Sequence, residues 1–308
     1  MLRIATANVN GIRAAHRRGF GDWLAERGAD VIALQEVRAQ QGKLPDGAFG
    51  GHHVALDLGT LPGRNGVAVL TRRAPEAVRT WNGTALVGGP SAAADALTQL
   101  PAPDHVPLAR GLGRFASEGR YLEVDLADAP LTIACLYLPK GGLPAALQRP
   151  GRMREEPDGG ARYDRKMRFM AAFARYLSRT RRAAAANGRD FLLMGDLNIA
   201  HTELDLAAWR RNQQNDGFLP EEREWLGRQL SPRTLIDVVR RLHPGEDGPY
   251  SWWSWLGQSF ANDAGWRLDY HLATPRLART PGRPPGDPQF RGARLSDHSP
   301  VVVDYDWG

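Results

Sequence analysis

The chain contains 308 residues, of which 42% are hydrophobic and 24% are charged, a composition typical of a globular protein with a sizeable core. It lacks an apolar stretch of the roughly 20 residues that a membrane-spanning helix needs, and its single cysteine excludes an internal disulfide. The net charge of +6 favours an anionic partner, nucleic acid above all, without establishing one. A strand-like pattern begins at residue 2 and leaves no room for a secretory leader, so we expect a cytoplasmic protein.

Strand patterns alternate with helix patterns along the chain. Strands are predicted at 2–8, 30–35, 65–71, 120–126, 131–138, 190–195, 267–273 and 300–305. Helices are predicted at 19–28, 164–187, 203–210, 220–230 and 234–243, the longest beginning at Asp164 as N-cap and ending before Gly188. A short turn between two of the strands implies antiparallel pairing, whereas helices separate most of the others. This mixture predicts an α/β (α+β) fold in which helices cover two sheets packed face to face.

Two segments are predicted to be long surface loops. They lie at about 82–114, which is rich in Gly, Pro and Ala, and at 141–162, which is polar and charged. Strand patterns resume on both sides of each segment, so neither resembles a linker between domains. We therefore expect a single domain over residues 1–308.

Polar side chains stand in or near the ends of several predicted strands. In DFLLMGDLNIAH an apolar run at 191–194 is followed by Asp196 and Asn198, which strand alternation would point to the same side. The other strands carry further polar side chains, namely Asn8, Asn10, Glu36, Tyr137, Asp269, Asp297 and His298. Each alone has an ordinary interpretation as a turn, capping or solvated residue. Together they predict a metal pocket, because buried carboxylates are costly unless they are paired or bind a cation.

The types of ligand in this pocket indicate which metal it would hold. All are hard oxygens, with one histidine and no cysteine nearby, which favours Mg²⁺, with Mn²⁺ as a substitute, over zinc. Whether one or two ions bind stays open. The sequence contains neither a P-loop nor a glycine-rich nucleotide fingerprint, and no arrangement typical of a Ser or Cys nucleophile. These observations favour hydrolysis of a phosphate ester by water.

Eight short segments stand in order along the chain: NVNGIRA, ALQEVR, GVAVLTRR, EGR at 118–120, GDLNIAH, NDGFLPEER, GWRLDYHL and SDHSP. Together they resemble the motifs of the exonuclease III family of AP endonucleases, in the DNase I-like endonuclease/exonuclease/phosphatase superfamily. The GD-x-N and SDH elements alone would indicate only the superfamily. NDGFLPEER and WRLDY narrow the resemblance to this family.

The resemblance implies a four-layer α/β sandwich of two packed mixed sheets flanked by helices, with the active site where strand ends of both sheets meet. It also implies a Mg²⁺-dependent DNA-repair hydrolase that cleaves double-stranded DNA 5′ to abasic sites, trims 3′ ends, or does both. We expect a monomer that acts on abasic sites and 3′ ends without a membrane partner. The balance between the two activities stays open, because Lys140, Ala7 and the two long loops depart from the family's pattern.

Roles near the metal and the phosphate are implied by the matched motifs. Glu36 resembles the main Mg²⁺ ligand, with Asn10 nearby, and Asp297 resembles a second acidic residue of the metal and water network. Three catalytic-site residues resemble the groups that hold the scissile phosphate: Asn8, Tyr137 and Asn198.

Proton transfer and charge stabilisation are implied for three further residues. Asp196 resembles the residue that orients or deprotonates the attacking water, or protonates the leaving oxygen. Asp269 and His298 resemble a hydrogen-bonded pair whose imidazole faces the phosphate. A carboxylate beside an imidazole raises its pKa, so His298 is expected to be cationic near neutrality.

Contacts with DNA are implied for polar residues in or beside the motifs: Arg13, Arg38, Arg72, Arg120, Asn212 and Asn215. Phosphate contacts of this kind position a duplex without reading its sequence. Trp252, Trp266 and Leu268 match the family's apolar pocket for a flipped, baseless sugar. Other tryptophans of YSWWSW are expected to be core residues.

Two alternative functions remain at this stage. One is another phosphoesterase of the superfamily that acts on a lipid or inositol phosphate. The other is a catalytically inactive relative that only binds DNA. NDGFLPEER, WRLDY and the basic charge favour DNA over the first alternative, and the filled catalytic positions argue against the second.

Overall fold

The computed structural model describes residues 1–149, 151, 156–279 and 294–306. Its strands are Leu2–Asn8 (β1), Val31–Gln35 (β2), His53–Asp57 (β3), Val67–Thr71 (β4), Ala77–Thr80 (β5), Thr84–Gly88 (β6), Thr98–Pro101 (β7), Tyr121–Asp125 (β8), Leu131–Tyr137 (β9), Asp190–Asp196 (β10), Ile236–Asp237 (β11), Asp269–Ala273 (β12) and Val301–Tyr305 (β13). Its α-helices are Ile12–Arg17 (α1), Phe20–Arg27 (α2), Ala161–Ala186 (α3), Trp209–Asn212 (α4), Pro220–Gln229 (α5) and Val238–Leu242 (α6). Short 3₁₀ helices occupy Gln41–Lys43, Ala94–Ala96, Gly113–Glu118, Ala145–Leu147, Glu203–Asp205 and Leu277–Arg279.

The strands form two mixed sheets. The first has seven strands in the order β13-β1-β2-β4-β3-β6-β7, and the second has six in the order β11-β12-β10-β9-β8-β5. Each sheet contains one parallel pair near its centre, β1 with β2 and β9 with β10, and the other neighbours are antiparallel. The carboxyl ends of these four central strands therefore lie at the same end of the sandwich.

Alternation along the strands explains the four layers. Leu192 and Met194 of β10 pack between the two sheets with Ile4 of β1, whereas Phe191 and Leu193 pack outward against α3. Residues on the outer face of the first sheet pack against α1 and α2. Each sheet thus buries both of its faces, which requires a helical layer on each side. The predicted four-layer sandwich is confirmed.

All eight predicted strands are present, but five were missed. The segment 82–114 is not one continuous loop, because it contains β6, β7, the 3₁₀ helix Ala94–Ala96 and the start of the 3₁₀ helix Gly113–Glu118. β7 is fully exposed at the edge of its sheet, so it lacks the alternation by which a half-buried strand is detected. The segment 141–162 contains one 3₁₀ helix and the start of α3, and part of it lies outside the described residues.

Two helix predictions also need correction. The predicted helix at 203–210 is instead a 3₁₀ turn, Glu203–Asp205, followed by the start of the short helix α4. Helix α3 begins at Ala161 after Gly160, which has a φ of 88°, so Asp164 lies in the first turn and is not the N-cap. Among the described residues, no helix is both long and apolar enough to cross a membrane.

Candidate active site

Strand alternation delivers the central polar residues of the site. The positions that face the gap between the sheets are Thr6 and Asn8 on β1, Cys135 and Tyr137 on β9, and Met194 and Asp196 on β10. The last inward position of each of these three strands is therefore polar, and the three positions lie at the same end of the sandwich. Asn8 of one sheet donates from its amide to Asp196 of the other, with a nitrogen–oxygen distance of 2.9 Å. The site is built across the junction of the two sheets.

Four site residues adopt left-handed backbone conformations directly after strands. The φ values are 42° for Asn10, 54° for Glu36, 51° for Arg38 and 49° for Asn198. Side chains other than Asn and Asp rarely adopt such angles, and strain of this kind concentrates at functional sites. Here the turn ends each strand abruptly and redirects the following side chain into the cleft.

Asp196 lies at the centre of the site and is almost fully buried. One of its oxygens accepts a hydrogen bond from the backbone N–H of Asn198 at 2.8 Å. The other accepts from the side-chain amides of Asn8 at 2.9 Å and Asn198 at 3.2 Å. Burial raises the pKa of Asp196 to about 7, because the neighbouring charge of His298 offsets only part of the desolvation and the repulsion from Asp269. Its carboxyl group is therefore able to exchange a proton near neutral pH.

His298 is held between two carboxylates. Its Nδ1 lies 2.8 Å from Oδ2 of Asp269, and its Nε2 faces Oδ2 of Asp196 at 3.8 Å. Burial alone would lower the pKa of this imidazole, but Asp269 and Asp196 raise it to about 10. The predicted Asp269–His298 pair is present in the structure, and the histidine carries a positive charge at neutral pH.

Glu36 and Tyr137 line the side of the site next to Asn8. Asn8 donates to Oε1 of Glu36 at 2.9 Å as well as to Asp196, so both hydrogens of its amide are used. Burial and the negative charges of Glu36 and Asp196 hold the pKa of the Tyr137 phenol well above its usual range. The phenol is therefore neutral and is a hydrogen-bond donor to Glu36. The amides of Asn8 and Asn198 would have to turn from these partners to hold a phosphate, and that role remains a prediction.

The predicted metal ligands lie together and are bridged by Arg38. Its guanidinium forms an ion pair with Oε2 of Glu36 and donates to Oδ1 of Asn10 at 2.5 Å. The amide of Asn10 donates to Asp297 at 2.7 Å, and the indole of Trp252 donates to the other Asp297 oxygen at 3.0 Å. Burial would raise the pKa of Asp297, but the His298 charge and these hydrogen bonds lower it. Carboxylate and carboxamide oxygens thus converge at one edge of the site.

This donor set fits a hard divalent cation. Oε2 of Glu36 is buried, and its partner among the described residues is the Arg38 guanidinium, with which a metal ion would share this oxygen. A second group, Asp196, Asp269 and His298, also has ligand atoms within 4.8 Å of one another. A protonated imidazole has no free lone pair for a metal, so the Glu36 side is the better site.

An aromatic cluster adjoins His298. Trp252 and Trp266 contact each other edge to face with ring centroids 6.2 Å apart, and both pack on the cluster that contains Leu268 and Phe218. Trp252 also forms an isolated β-bridge with His298. The three residues predicted as the abasic-sugar pocket are therefore brought together beside the site, and their role remains a prediction.

The predicted DNA-contacting residues differ in their placement. Arg13 is exposed on α1. The start of α1 lies beside Glu36, because the backbone N–H groups of Gly11 and Ile12 donate to the carbonyls of Glu36 and Val37. Asn212 is the last residue of α4 and Asn215 lies in the turn after it, where the Asn215 amide donates to Asn212 at 2.5 Å. Nearby, a Cβ on Gly217 would lie 3.1 Å from the Asn198 carbonyl oxygen, so this turn borders the site.

Two of the residues predicted to contact DNA lie outside the cleft, and their role stays a prediction. Arg72 follows β4, which runs antiparallel to β2, so its backbone bonds to Asp30 at the opposite end of β2 from Glu36. Five strand residues separate the two ends, roughly 17 Å, which places Arg72 away from the site. Arg120 is buried and bonds to Glu118, to Asn65 and to the backbone carbonyl of Tyr137. Its guanidinium lies 4.9 Å from the centre of the Tyr137 ring, so it supports that residue.

Sequence reasoning missed one buried cation of the site, Lys166 on α3. Its ammonium donates to the backbone carbonyl of Asn198 at 2.9 Å and to Glu222 at 2.6 Å. The sequence signal was a lysine at an apolar position of the helix, since Lys166 lies three residues before Phe169 on its buried face. It was not read because buried lysines are rare.

Comparison with known proteins gives consistent matches over the whole chain. The chain matches the Endonuclease/Exonuclease/phosphatase family over residues 5–298. It is 26% identical to the exodeoxyribonuclease of Bacillus subtilis over 98% of both chains. It is 25% identical to the DNA-(apurinic or apyrimidinic site) endonuclease of Dictyostelium discoideum over 99% of this chain and 71% of that protein. It is similar to the solved structure of an AP endonuclease from Archaeoglobus fulgidus, with a TM-score of 0.74, 25% identity and complete coverage of both chains.

Proposed function

The chain belongs to the Endonuclease/Exonuclease/phosphatase family, and we propose that it is a Mg²⁺-dependent DNA-repair phosphodiesterase. Its proposed reactions are hydrolysis of duplex DNA 5′ to abasic sites and trimming of 3′ ends. The relatives described above are named for these two activities, which supports DNA over a lipid or inositol phosphate as substrate. We also propose that it acts as a single-domain monomer in the cytoplasm.

One observation carries the proposal. A buried acid, Asp196, and a buried cation, His298, face each other at the junction of the sheets, directly beside the Trp252–Trp266 cluster. This arrangement places proton transfer and charge stabilisation next to an apolar space of the kind that suits a sugar without its base. A phosphate bound between the two polar residues would meet both at once.

Asp196 is proposed to move the proton. Its pKa of about 7 lets the carboxylate accept a proton from the attacking water or, as the acid, give one to the leaving oxygen. Hydrogen bonds from the backbone N–H and the side-chain amide of Asn198, and from the side-chain amide of Asn8, fix its orientation before substrate binds. A preoriented acid of this kind needs little rearrangement during the reaction.

His298 is proposed to stabilise the negative charge that gathers on the phosphate oxygens. Its bond to Asp269 leaves the Nε2–H group directed toward the cleft and keeps the imidazole protonated. A buried, fixed donor is more effective for this purpose than a solvated one, because water does not screen it.

Glu36 and Asn10, with Asp297 behind them, would hold Mg²⁺. When bound, the ion would supply positive charge that screens the phosphodiester from the surrounding carboxylates. Tyr137 would contribute a neutral hydroxyl donor at the same edge, since its pKa is far above neutrality. The exposed Arg13 beside this edge would contact the DNA backbone.

The proposal is tested with a labelled duplex that contains one abasic analogue. Incubation with Mg²⁺ should give a single cut 5′ to the analogue, and EDTA should abolish it. A matched duplex without the analogue should be shortened only from its 3′ ends. Absence of cleavage on both duplexes, together with release of phosphate from an inositol phosphate, would overturn the assignment.

A further inference from the structure

A buried lysine lies behind the catalytic turn. Lys166, on the inner face of α3, has a side chain with a relative exposure of 1%. Its ammonium has three polar neighbours: the Asn198 carbonyl at 2.9 Å, Glu222 at 2.6 Å and Asp216 at 3.6 Å. A charged amine in such a place is costly unless its partners compensate it fully. Pairing with Glu222 stabilises the charge, but the bond to Asn198 links it to the site.

Asn198 is held at both of its backbone polar groups and at its side-chain NH₂ group. Its backbone N–H donates to Asp196, and its side-chain amide donates to Asp196 and to the carbonyl of Leu138. The remaining backbone group is the carbonyl, and its hydrogen bond comes from Lys166. The φ of Asn198 is 49°, a left-handed conformation that Asn adopts more readily than most residues, and these contacts select it over the alternatives.

The packing around Lys166 keeps the ammonium against this carbonyl. A Cβ on Gly141 would lie 2.7 Å from Cδ of Lys166, so the segment after β9 presses on the lysine stem. On the other side, Gly217 lies close to the Asn198 carbonyl oxygen. The side chain has no room to leave its place without moving the chain on either side.

We propose that Lys166 is a positioning residue for the reaction, because its ammonium holds the Asn198 carbonyl and thereby fixes the Asp196–Asn198 turn. Without that bond the carbonyl would lose its hydrogen-bond donor, and the turn would become free to adopt other conformations. Asp196 would then lose the two donors that Asn198 supplies. The inference rests on the proposed function only for the choice of substrate.

The test combines Lys166→Met with Glu222→Gln, so that neither partner leaves a buried charge alone. The first readout is hydrogen exchange at the backbone N–H of Asn198, which we expect to become about 10- to 100-fold faster in the double variant than in wild type. The matched control is Arg175→Met on the same helix, which removes a bond to the distant carbonyl of Arg110 and should leave this exchange unchanged. This readout needs no catalysis, so it tests the positioning role even if the chain does not cleave abasic DNA.

The second readout is a mutant cycle on abasic DNA. We expect the Lys166→Met and Glu222→Gln pair to lower kcat about 10- to 100-fold with little change in duplex binding in Ca²⁺. Asn198→Ala removes the side-chain donor to Asp196 but keeps the carbonyl that Lys166 holds and the N–H that donates to Asp196, so the pair should lower kcat by a smaller factor in that background than in wild type. If the factor by which the pair lowers kcat is the same in wild type and in Asn198→Ala, the pair has a general structural role and the inference is overturned.

Lys166→Arg is the second variant, because it keeps a cationic donor and the pairing with Glu222. It should retain kcat within about 10-fold of wild type. If the methionine variant does not fold, a folded arginine variant as slow as Asn198→Ala, with unchanged exchange at Asn198, would equally overturn the positioning role.

Discussion

At the scale of single residues, the site keeps opposite charges a few ångströms apart without neutralising them. Asp196 and His298 face each other at 3.8 Å, too far for a hydrogen bond, while each is bonded to other groups. A phosphate oxygen between them would meet a carboxyl on one side and an imidazolium on the other. The two side chains should therefore respond differently to substitution.

Asp196→Asn should abolish most turnover while DNA affinity holds or rises. General acid–base catalysis is worth about 10²–10⁴ in rate, and the substitution removes a negative charge near the phosphate. The melting temperature should fall modestly, because both Asp196 oxygens accept hydrogen bonds and the Asn amide would turn its NH₂ group toward some of these donors. Turnover is measured in Mg²⁺ and duplex binding in Ca²⁺. Clearly weaker binding of abasic DNA by this variant would contradict a proton-transfer role.

His298→Asn should lower turnover, affinity and stability together. Loss of one charge-stabilising donor costs about 10²–10³ in rate. The substitution also strands Asp269, whose Oδ1 already has no hydrogen-bond donor among the described residues. An unsatisfied buried group costs about 1–3 kcal/mol, so urea denaturation should show a matching loss. Unchanged duplex binding in Ca²⁺ would argue against a cationic histidine at the phosphate.

Glu36→Gln should lose activity that extra Mg²⁺ partly restores. The substitution keeps the size and one oxygen of the side chain but removes the charge that Arg38 and a metal ion would share. The measurement is a titration of cleavage rate against Mg²⁺ concentration, with the half-saturating concentration expected to rise. A half-saturating concentration equal to that of wild type would count against Glu36 as the main ligand.

The sequence located most site residues for reasons that act locally. Alternation along an apolar strand places Asp196 on the inner face, and the structure agrees. Asn198, however, lies beyond the end of β10, and its left-handed φ, not strand alternation, sets its direction. Lys166 was not predicted as a site residue, because its contact with Asn198 joins α3 to a turn 32 residues further along the chain. Such a contact depends on packing and has no local pattern.

At the scale of secondary-structure elements, the β9–β10 pair positions the site through one glycine. Gly195 stands opposite Leu136, immediately before Asp196, and has a φ of 137°. A Cβ there would lie 2.0 Å from the Leu136 carbonyl oxygen. The close approach brings Tyr137 and Asp196 to the same level at the strand ends.

Gly195→Ala should therefore destabilise the fold by at least about 2 kcal/mol, since it adds both backbone strain and overpacking. The free energy of unfolding is measured in urea. The control is Gly42→Ala, where a Cβ would meet no described atom within 4 Å, and which should stay within about 0.5 kcal/mol of wild type. A Gly195 variant as stable as the control would mean that the strands separate at little cost.

Elements were predictable where their apolar pattern was strong, as in β9 and β10. The missed strands β5, β6 and β7 are short and partly or fully exposed, so tertiary pairing holds them in place rather than their own pattern. The position of Arg72 was not predictable for a related reason. Arg72 follows a correctly predicted strand, β4. Local sequence does not encode the direction of β4 in the sheet, and this direction places Arg72 at the end of β2 opposite to Glu36.

At the scale of the whole molecule, the two sheets meet over a core that is apolar except for a few buried polar groups. His271 of β12 is one of these, with Nδ1 3.1 Å from the hydroxyl of Tyr305 and Nε2 3.2 Å from the carbonyl of Val301. Val301 and Tyr305 are the first and last residues of β13, which belongs to the other sheet. No local pattern encodes which strands of two sheets face each other, so this contact was not predicted.

His271 should make the stability of the sandwich depend on pH between about 6.5 and 4. Burial lowers the pKa of His271 to about 4, from the ordinary value of 6.5 that it regains on unfolding. Within this window the unfolded chain binds the extra proton and the folded chain does not, so stability falls as the pH falls, by roughly 3 kcal/mol in total. His271→Gln should be less stable at pH 7 but lose less on acidification, as urea denaturation at pH 7, 6, 5 and 4 would show. Tyr305→Phe, which removes the partner of Nδ1 and leaves the histidine, should keep most of the wild-type slope. Equal slopes for wild type and His271→Gln would place the acid sensitivity of the fold elsewhere.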